Sequence, residues 1–324
     1  MHVWIYLLLV SSICTVTKTQ GKVVCYFASW SLTRTGDDQY RIEDIDPSLC
    51  THVIYAFADL ASDGTIRVGD PSTDLPSGLD GYNRLHHLKQ HSSHLKTLIS
   101  VNAASPAVFS LVFNNKNLRA EFVNNTTNFV EEHGFDGLDV DWEYPAIGKS
   151  TSPTDKVAFA ETLADLRTRF TPLGLLLTIA CPSPSGYIRK SYDVTSIVRN
   201  VDFINLMTYD FHDTHESTTG LNAPLFEREA DYNKDLNVSV LASVKESLLL
   251  PSVARRCLHK IDLNAGVENW LNSGAPAEKI VLGMGFFGTA FTLKNVSDNG
   301  VGAPALGPAA RTRGSLRYNQ VPYQ

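Results

Sequence analysis

The chain has no excess of positive charge. Its 28 Lys and Arg are outnumbered by 34 Asp and Glu, a formal net charge of −6 over 324 residues. No basic stripe interrupts that balance, so a nucleic-acid partner is not expected. Long hydrophobic runs are missing too. The most apolar stretch lies in residues 1–20, MHVWIYLLLVSSICTVTKTQ, and its core from Val3 to Val10 is too short to span a bilayer. Small polar residues follow it, so residues 1–20 read as a secretory signal, although only the terminal amine and His2 supply positive charge at its start. Secretion is therefore expected and membrane anchoring is not. No Gly-x-Gly-x-x-Gly follows the first strand-like run, which leaves a dinucleotide-binding fold without support. Cysteine is scarce. Cys14 belongs to the signal, leaving Cys25, Cys50, Cys181 and Cys257. In an oxidising compartment a bridge among these is expected, and the sequence alone leaves its pairing open. Asn124, Asn125, Asn237 and Asn295 each have Ser or Thr two residues on, the pattern of a glycosylation acceptor.

Against these absences one segment stands out, Asp136-Gly137-Leu138-Asp139-Val140-Asp141-Trp142-Glu143. Asp139, Asp141 and Glu143 recur at spacing two, with Leu138, Val140 and Trp142 between them. Spacing two is the strand period, so the acids share one face and the apolar residues the other. Same-face neighbours on a strand lie roughly 6–7 Å apart. Carboxylates that close repel, so at neutral pH at least one should hold a proton, and the last member reads as a proton donor. A solvated strand face would not carry Leu, Val and Trp opposite its acids. An EF-hand needs Gly at position six and Glu at position twelve of its loop, and neither Asp136 nor Asp139 opens such a register. Perturbed carboxyls of this kind point to catalysis.

Short apolar runs alternate with helical patterns along the chain. Strands are expected at Lys22–Ala28, Thr51–Phe57, Lys96–Val101, Phe135–Asp141, Leu175–Ala180, Val201–Thr208 and Lys279–Gly285. Helices are expected at Tyr82–His91, Leu118–His133, Asp155–Phe170 and Val267–Asn272. Repeated strand–helix units make an α/β fold with a parallel sheet, and seven of them suggest a TIM (β/α)8 barrel lacking its last unit. A doubly wound open sheet is the alternative. In such a barrel chemistry sits at the C-terminal ends of strands. The acidic run ends the fourth, and Met207-Thr208-Tyr209-Asp210 ends the sixth. Trp142 and Trp270 read as packing residues. His87, His91 and His94 share one helical face, which reads as a solvated face rather than a zinc site.

These residues resemble family 18 glycoside hydrolases, specifically the animal chitinases. The acidic run matches that family's D-x-x-D-x-D-x-E signature. KVVCYFASW, LCTHVIYAFA, FDGLDVDWEYP, SYDV, VDFINLMTYDFH, Asn222-Ala223-Pro224-Leu225 and KIVLGMGFFGTAFTL align as well, over roughly residues 22–310. The resemblance implies a chitin or chitooligosaccharide substrate, no metal or organic cofactor, and a disulfide between Cys25 and Cys50. It implies that the substrate's own 2-acetamido oxygen is the nucleophile, since acids on one strand cannot flank the sugar. Glu143 would be the general acid and then the base. Asp141 would orient the acetamido group, and Asp139 would share a proton with Asp141. Tyr209 would hold the acetamido oxygen. Tyr26, Trp30, Phe57, Met207 and Asp210 would line the sugar, and Asp136 and Gly137 would be structural members of the signature.

The chain also departs from that pattern. The third strand of active chitinases ends in Gly-Gly-Trp, where this chain has Asn102-Ala103-Ala104. Loss of a stacking Trp costs about 1–3 kcal/mol by analogy with base–aromatic stacking. Side chains at the two glycine positions would strain a backbone of positive φ. Gly-Ser-Trp after the sixth strand becomes Asp213-Thr214-His215, and Tyr-Gly-Arg after the seventh becomes Phe287-Gly288-Thr289. The sugar-binding shell is thinned while the acids remain, so KM should suffer more than kcat. A chitinase-like lectin that binds without cutting is the rival function. Residues 238–262 have no counterpart in the family pattern and read as an extra helical excursion or a translated intron. The expected layout is a barrel over residues 21–293, and residues 294–324 as the start of the family's insertion domain, with the eighth strand absent.

Overall fold

The computed structural model describes residues 21–226, 262–310, 312–317 and 320. The expected signal at 1–20, Cys257, Asn237 and the atypical segment up to residue 261 lie outside the described residues. Seven parallel strands form the main sheet in chain order. They are β1 (Val24–Ala28), β2 (His52–Leu60, with the short β3, Ile66–Arg67, folded back on it), β4 (Lys96–Asn102), β5 (Gly137–Val140), β6 (Leu176–Pro182), β7 (Phe203–Met207) and β8 (Ile280–Leu282). Helices Gly81–His87, Pro106–Asn114, Lys116–Glu132, Asp155–Phe170, Ser185–Ser191 and Val194–Asn200 occupy the crossovers. The order never reverses, so there is no switch point of a doubly wound sheet. The architecture is a parallel half-barrel, an incomplete TIM barrel.

Burial explains the elements. Lys116–Glu132 buries Phe122, Val123, Phe129 and Val130, a stripe at helical spacing, and Asn115 caps it by accepting from the amides of Asn117 and Leu118 at 3.0 and 3.2 Å. Asp155–Phe170 turns Phe159, Leu163, Leu166 and Phe170 inward in the same way. Cys25 of β1 is bridged to Cys50 just before β2. Gly137 lies so close to β6 that an added Cβ would meet the Leu176 carbonyl oxygen at 2.2 Å, so only glycine fits there. Asp136 clamps the opposite end of the barrel from the acids. Its carboxylate accepts from the Thr97 amide at 2.7 Å and pairs with Lys89 at 2.5 Å.

Several boundaries differ from the sequence reading. The helix expected over Tyr82–His91 ends at His87 and tightens to a 3-10 turn at Leu88–Gln90. His87, His91 and His94 therefore do not share one helical face, because the 3-10 turn changes the angular step. Among the described residues no group of His, Cys, Asp or Glu is placed to hold a metal ion. The last helix begins at Leu263, not Val267, because Asp262 caps it by accepting from the Ala265 amide at 2.6 Å. After β8, β9 (Phe287–Thr289) and β10 (Phe291–Leu293) pair with β12 (Ser315–Arg317) and β11 (Ala305–Pro308) rather than with the barrel. The small antiparallel unit thus starts before the expected boundary at residue 294. Arg317 and Gln320 tie it to Asp38 beyond β1. Among the described residues no helix is long and apolar enough to cross a membrane.

One half-buried group gives the fold a pH dependence. His52 opens β2 with its ring edge-on to Phe203 at 4.9 Å. Burial, with Lys22 nearby, pulls its pKa down to about 4. The unfolded chain binds this proton near pH 6.5, so the unfolded state holds more protons between about pH 4 and 6.5. Stability should therefore fall as pH drops through that window. His52→Leu is expected to flatten part of the decline in melting temperature between pH 6.5 and 4.5. An unchanged slope in the variant would refute this.

Candidate active site

Strand register assembles the site. Ser100 of β4 and Thr178 of β6 lie directly beside Asp139 of β5. All three face the barrel interior. Asp139 is fully buried and accepts four hydrogen bonds: Tyr26 Oη at 2.9 Å, Ser100 Oγ at 2.8 Å, Thr178 Oγ1 at 2.6 Å and Asn205 Nδ2 at 3.1 Å. Burial raises its pKa, and the four donors oppose that rise. Tyr26 leaves 44% of its surface open, which is compatible with a hydroxyl end that reaches the buried carboxyl.

Asp141 is one step further toward the mouth. Its backbone amide donates to the Val101 carbonyl at 3.0 Å, extending the β4–β5 ladder past the end of β5. Its Oδ2 accepts from Asn102 Nδ2 at 3.2 Å, and its buried Oδ1 has no partner. Burial, then the charges of Glu143 and Asp139, push the Asp141 carboxyl well above the usual carboxylate range. Burial and the two neighbouring acids therefore favour the protonated form of the Asp141 carboxyl. Asp141 is 6% exposed, whereas Glu143 lies at the open mouth.

Trp142 points the other way and anchors the turn. It is 1% exposed among Phe109 (5.4 Å), Phe113 (5.4 Å) and Phe159 (5.5 Å). Beside Glu143, the rings of Tyr144 and Tyr187 meet edge-to-face at 4.9 Å. Burial, and then the Glu143 charge, raise both hydroxyls. Sequence reasoning missed this pair, as it missed Ser100, Thr178 and Asn205. For Thr178 and Asn205 the available signal was a lone polar residue on an apolar strand.

The other sequence-predicted residues lie on or just beyond β1, β2 and β7. Trp30 is 48% exposed and stacks on Phe57 at 5.9 Å and 23°. Phe57 can do so because the β2–β4 register shifts between Ala56 and Ala58. Met207 ends β7 and is half-buried. Tyr209 packs edge-on against Phe287 at 5.6 Å, and burial followed by Asp141 raises its hydroxyl. Asp210 adopts a positive φ of 56°, and Asn222 Nδ2 donates to its carboxylate at 2.8 Å. The strain expected at Asn102 and Ala103 is absent. Among the described non-glycine residues positive φ occurs at Asp80, Ala146, Ser150, Asp210 and Arg313. Asn102 instead continues β4 as ordinary extended backbone. Trp270 is fully buried, its Nε1 donating to the Pro182 carbonyl at 2.9 Å. Of the glycosylation candidates, Asn124 and Asn295 are exposed, whereas Asn125 spends its amide on Glu121.

Comparison with known proteins finds relatives over most of the chain. Mouse chitotriosidase-1 is 36% identical over 315 residues, covering 93% of this chain and 61% of the mouse protein. The chain thus spans about three-fifths of the length of that relative. The group IV chitinase of Ostrinia furnacalis, solved with allosamidin, superposes with a TM-score of 0.81 at 34% identity, over 93% of this chain and 76% of that one. Human YKL-39, described as a pseudo-chitinase with retained chitooligosaccharide binding, superposes with a TM-score of 0.74 at 29% identity, over 93% and 77%. The family model for glycosyl hydrolases family 18 matches residues 22–324, and the chain belongs to that family.

Proposed function

We propose that this chain carries the site of a secreted, retaining, endo-acting chitinase that cleaves β-1,4-linked N-acetylglucosamine polymers. The supporting observation is the graded acid trio. Asp139 is buried under four donors, Asp141 is buried with one, and Glu143 is exposed at the mouth. A group that must protonate a glycosidic oxygen has to reach substrate, and of the three Glu143 is the exposed one. Asp141 would pass its proton to Glu143 and, ionised, accept from the acetamido N–H, orienting the acetamido oxygen onto the anomeric carbon and offsetting the positive charge that forms. Asp139, whose four donors oppose the rise that burial imposes, would share a proton with Asp141 and so steady that partner when the cationic intermediate forms. Tyr209 and Asp210 approach from β7, and Trp30 with Phe57 offers an open aromatic shelf for a sugar ring.

A second reading, a lectin that binds oligomers without cutting, draws on Ala104 and Thr289 where the family pattern has Trp and Arg, and on the likeness to human YKL-39. The test is release of reducing ends from a chitin pentamer by the purified chain, with pentamer binding measured in parallel. Release with raised KM supports the enzyme. Binding without release from a cooperatively folded sample overturns it in favour of the lectin.

A further inference from the structure

Three acids of the run, Asp136, Asp139 and Asp141, have a partner on β4 at the same sequence offset of 39 residues. The Thr97 amide meets Asp136, the Ser100 hydroxyl meets Asp139 and the Asn102 amide meets Asp141. The first two contacts are structural. The third falls on the acid nearest the substrate and on a position where the family pattern has glycine, which offers no side-chain donor. The orientation of the Asn102 amide is set locally. Its Oδ1 accepts from the Ala103 amide at 2.6 Å, which leaves Nδ2 to face Asp141 Oδ2 at 3.2 Å. Asp141 Oδ1 remains buried without a partner. Resting on the chitinase reading of the site, we propose that Asn102 is a positioning residue for Asp141, holding its carboxyl toward β4 and supplying the donor that the ionised form needs.

The surroundings make this contact consequential. The groups facing Asp141 are Asp139 from β5, Glu143 and Tyr144 beyond β5, Tyr26 from β1, Cys181 from β6, Tyr192 after the helix Ser185–Ser191, and Tyr209 beyond β7. The Tyr and Cys groups among them titrate above their ordinary values, so near neutral pH they stay uncharged. The two carboxyls disfavour charge on Asp141, and Asn102 opposes them. Removing the amide therefore penalises the ionised form and leaves the protonated form nearly untouched. A carboxyl whose folded pKa lies above its unfolded value contributes stability fully below the unfolded value and loses it as pH rises through the folded value. Raising the folded value further extends that loss to higher pH.

The experiment compares thermal melts of the wild-type chain, Asn102→Ala, Asp141→Asn and the double variant from pH 5 to 9. Asn102→Asp serves as a second, isosteric variant in case alanine impairs folding. The gap between wild type and Asn102→Ala is expected to be small at pH 5 and to widen as pH rises, with a larger gap for Asn102→Asp. In the Asp141→Asn background the widening should vanish. A gap that is flat with pH, or that widens equally without Asp141, overturns the proposal. Sugar release supplies an independent arm. Where it occurs, Asn102→Ala should lower kcat about tenfold with KM within twofold, and move the acid limb of the pH profile upward. If wild type releases no sugar, the chitinase reading fails and the melts still decide the coupling.

Discussion

Glu143→Gln is expected to lower kcat for release of reducing ends by about 10³-fold or more, while pentamer binding changes less than about threefold. General acid–base catalysis contributes about 10²–10⁴-fold per step. In the proposed mechanism Glu143 serves both steps, giving a proton to the leaving oxygen and later taking one from water, so the effect belongs at the upper end. Gln keeps the shape and the hydrogen-bonding reach but has no proton to give. Glu143 is exposed at the mouth, so the variant should fold as the wild type does, within about 0.5 kcal/mol. Steady-state kinetics and a melt on the same sample check both halves. A loss under tenfold with intact folding would move the acid to another residue. The nearest alternatives are the Tyr144 and Tyr187 hydroxyls, which are poor donors because burial and the Glu143 charge raise them.

Asp139→Ala should be the most costly substitution for stability at this site, about 3 kcal/mol in urea unfolding at pH 7. The deletion strands four donors from four strands: Tyr26, Ser100, Thr178 and Asn205. Each buried donor left unsatisfied costs about 1–3 kcal/mol, but the hydroxyls can turn toward one another, and removing a buried charge gives some of the loss back. Asp139→Asn, which keeps the volume and one acceptor, is expected to lose about half as much. If both variants unfold at the wild-type midpoint, the network is not what ties β1, β4, β6 and β7 to β5.

Much of the fold is legible in the chain because the barrel is built from local repeats. The alternation of Asp139, Asp141 and Glu143 with Leu138, Val140 and Trp142 assigns faces without tertiary information, and Trp142 is indeed in the aromatic core. The helix Asp155–Phe170 is read to the residue because its apolar stripe is unbroken. The helices Pro106–Asn114, Ser185–Ser191 and Val194–Asn200 were not read. They are only nine, seven and seven residues long, and so show little helical periodicity. The His87–His91–His94 face dissolved because a 3-10 turn differs from an α-helix by roughly 10–20° in ψ, a difference that composition does not encode.

The site divides in the same way. Residue types and strand period placed three acids on one face, with Tyr209 and Asp210 at another strand's end. Register and burial were decided only in three dimensions. Register makes Ser100, Thr178 and Asn205 the keepers of Asp139 and gives Asn102 to Asp141, across separations of 39 and 66 residues. Burial favours the protonated form of Asp141 and leaves Glu143 exposed. Both are long-range properties. A strand carries its own alternation, but which residue lies beside it, and how much water reaches it, depends on how the other strands pack around it.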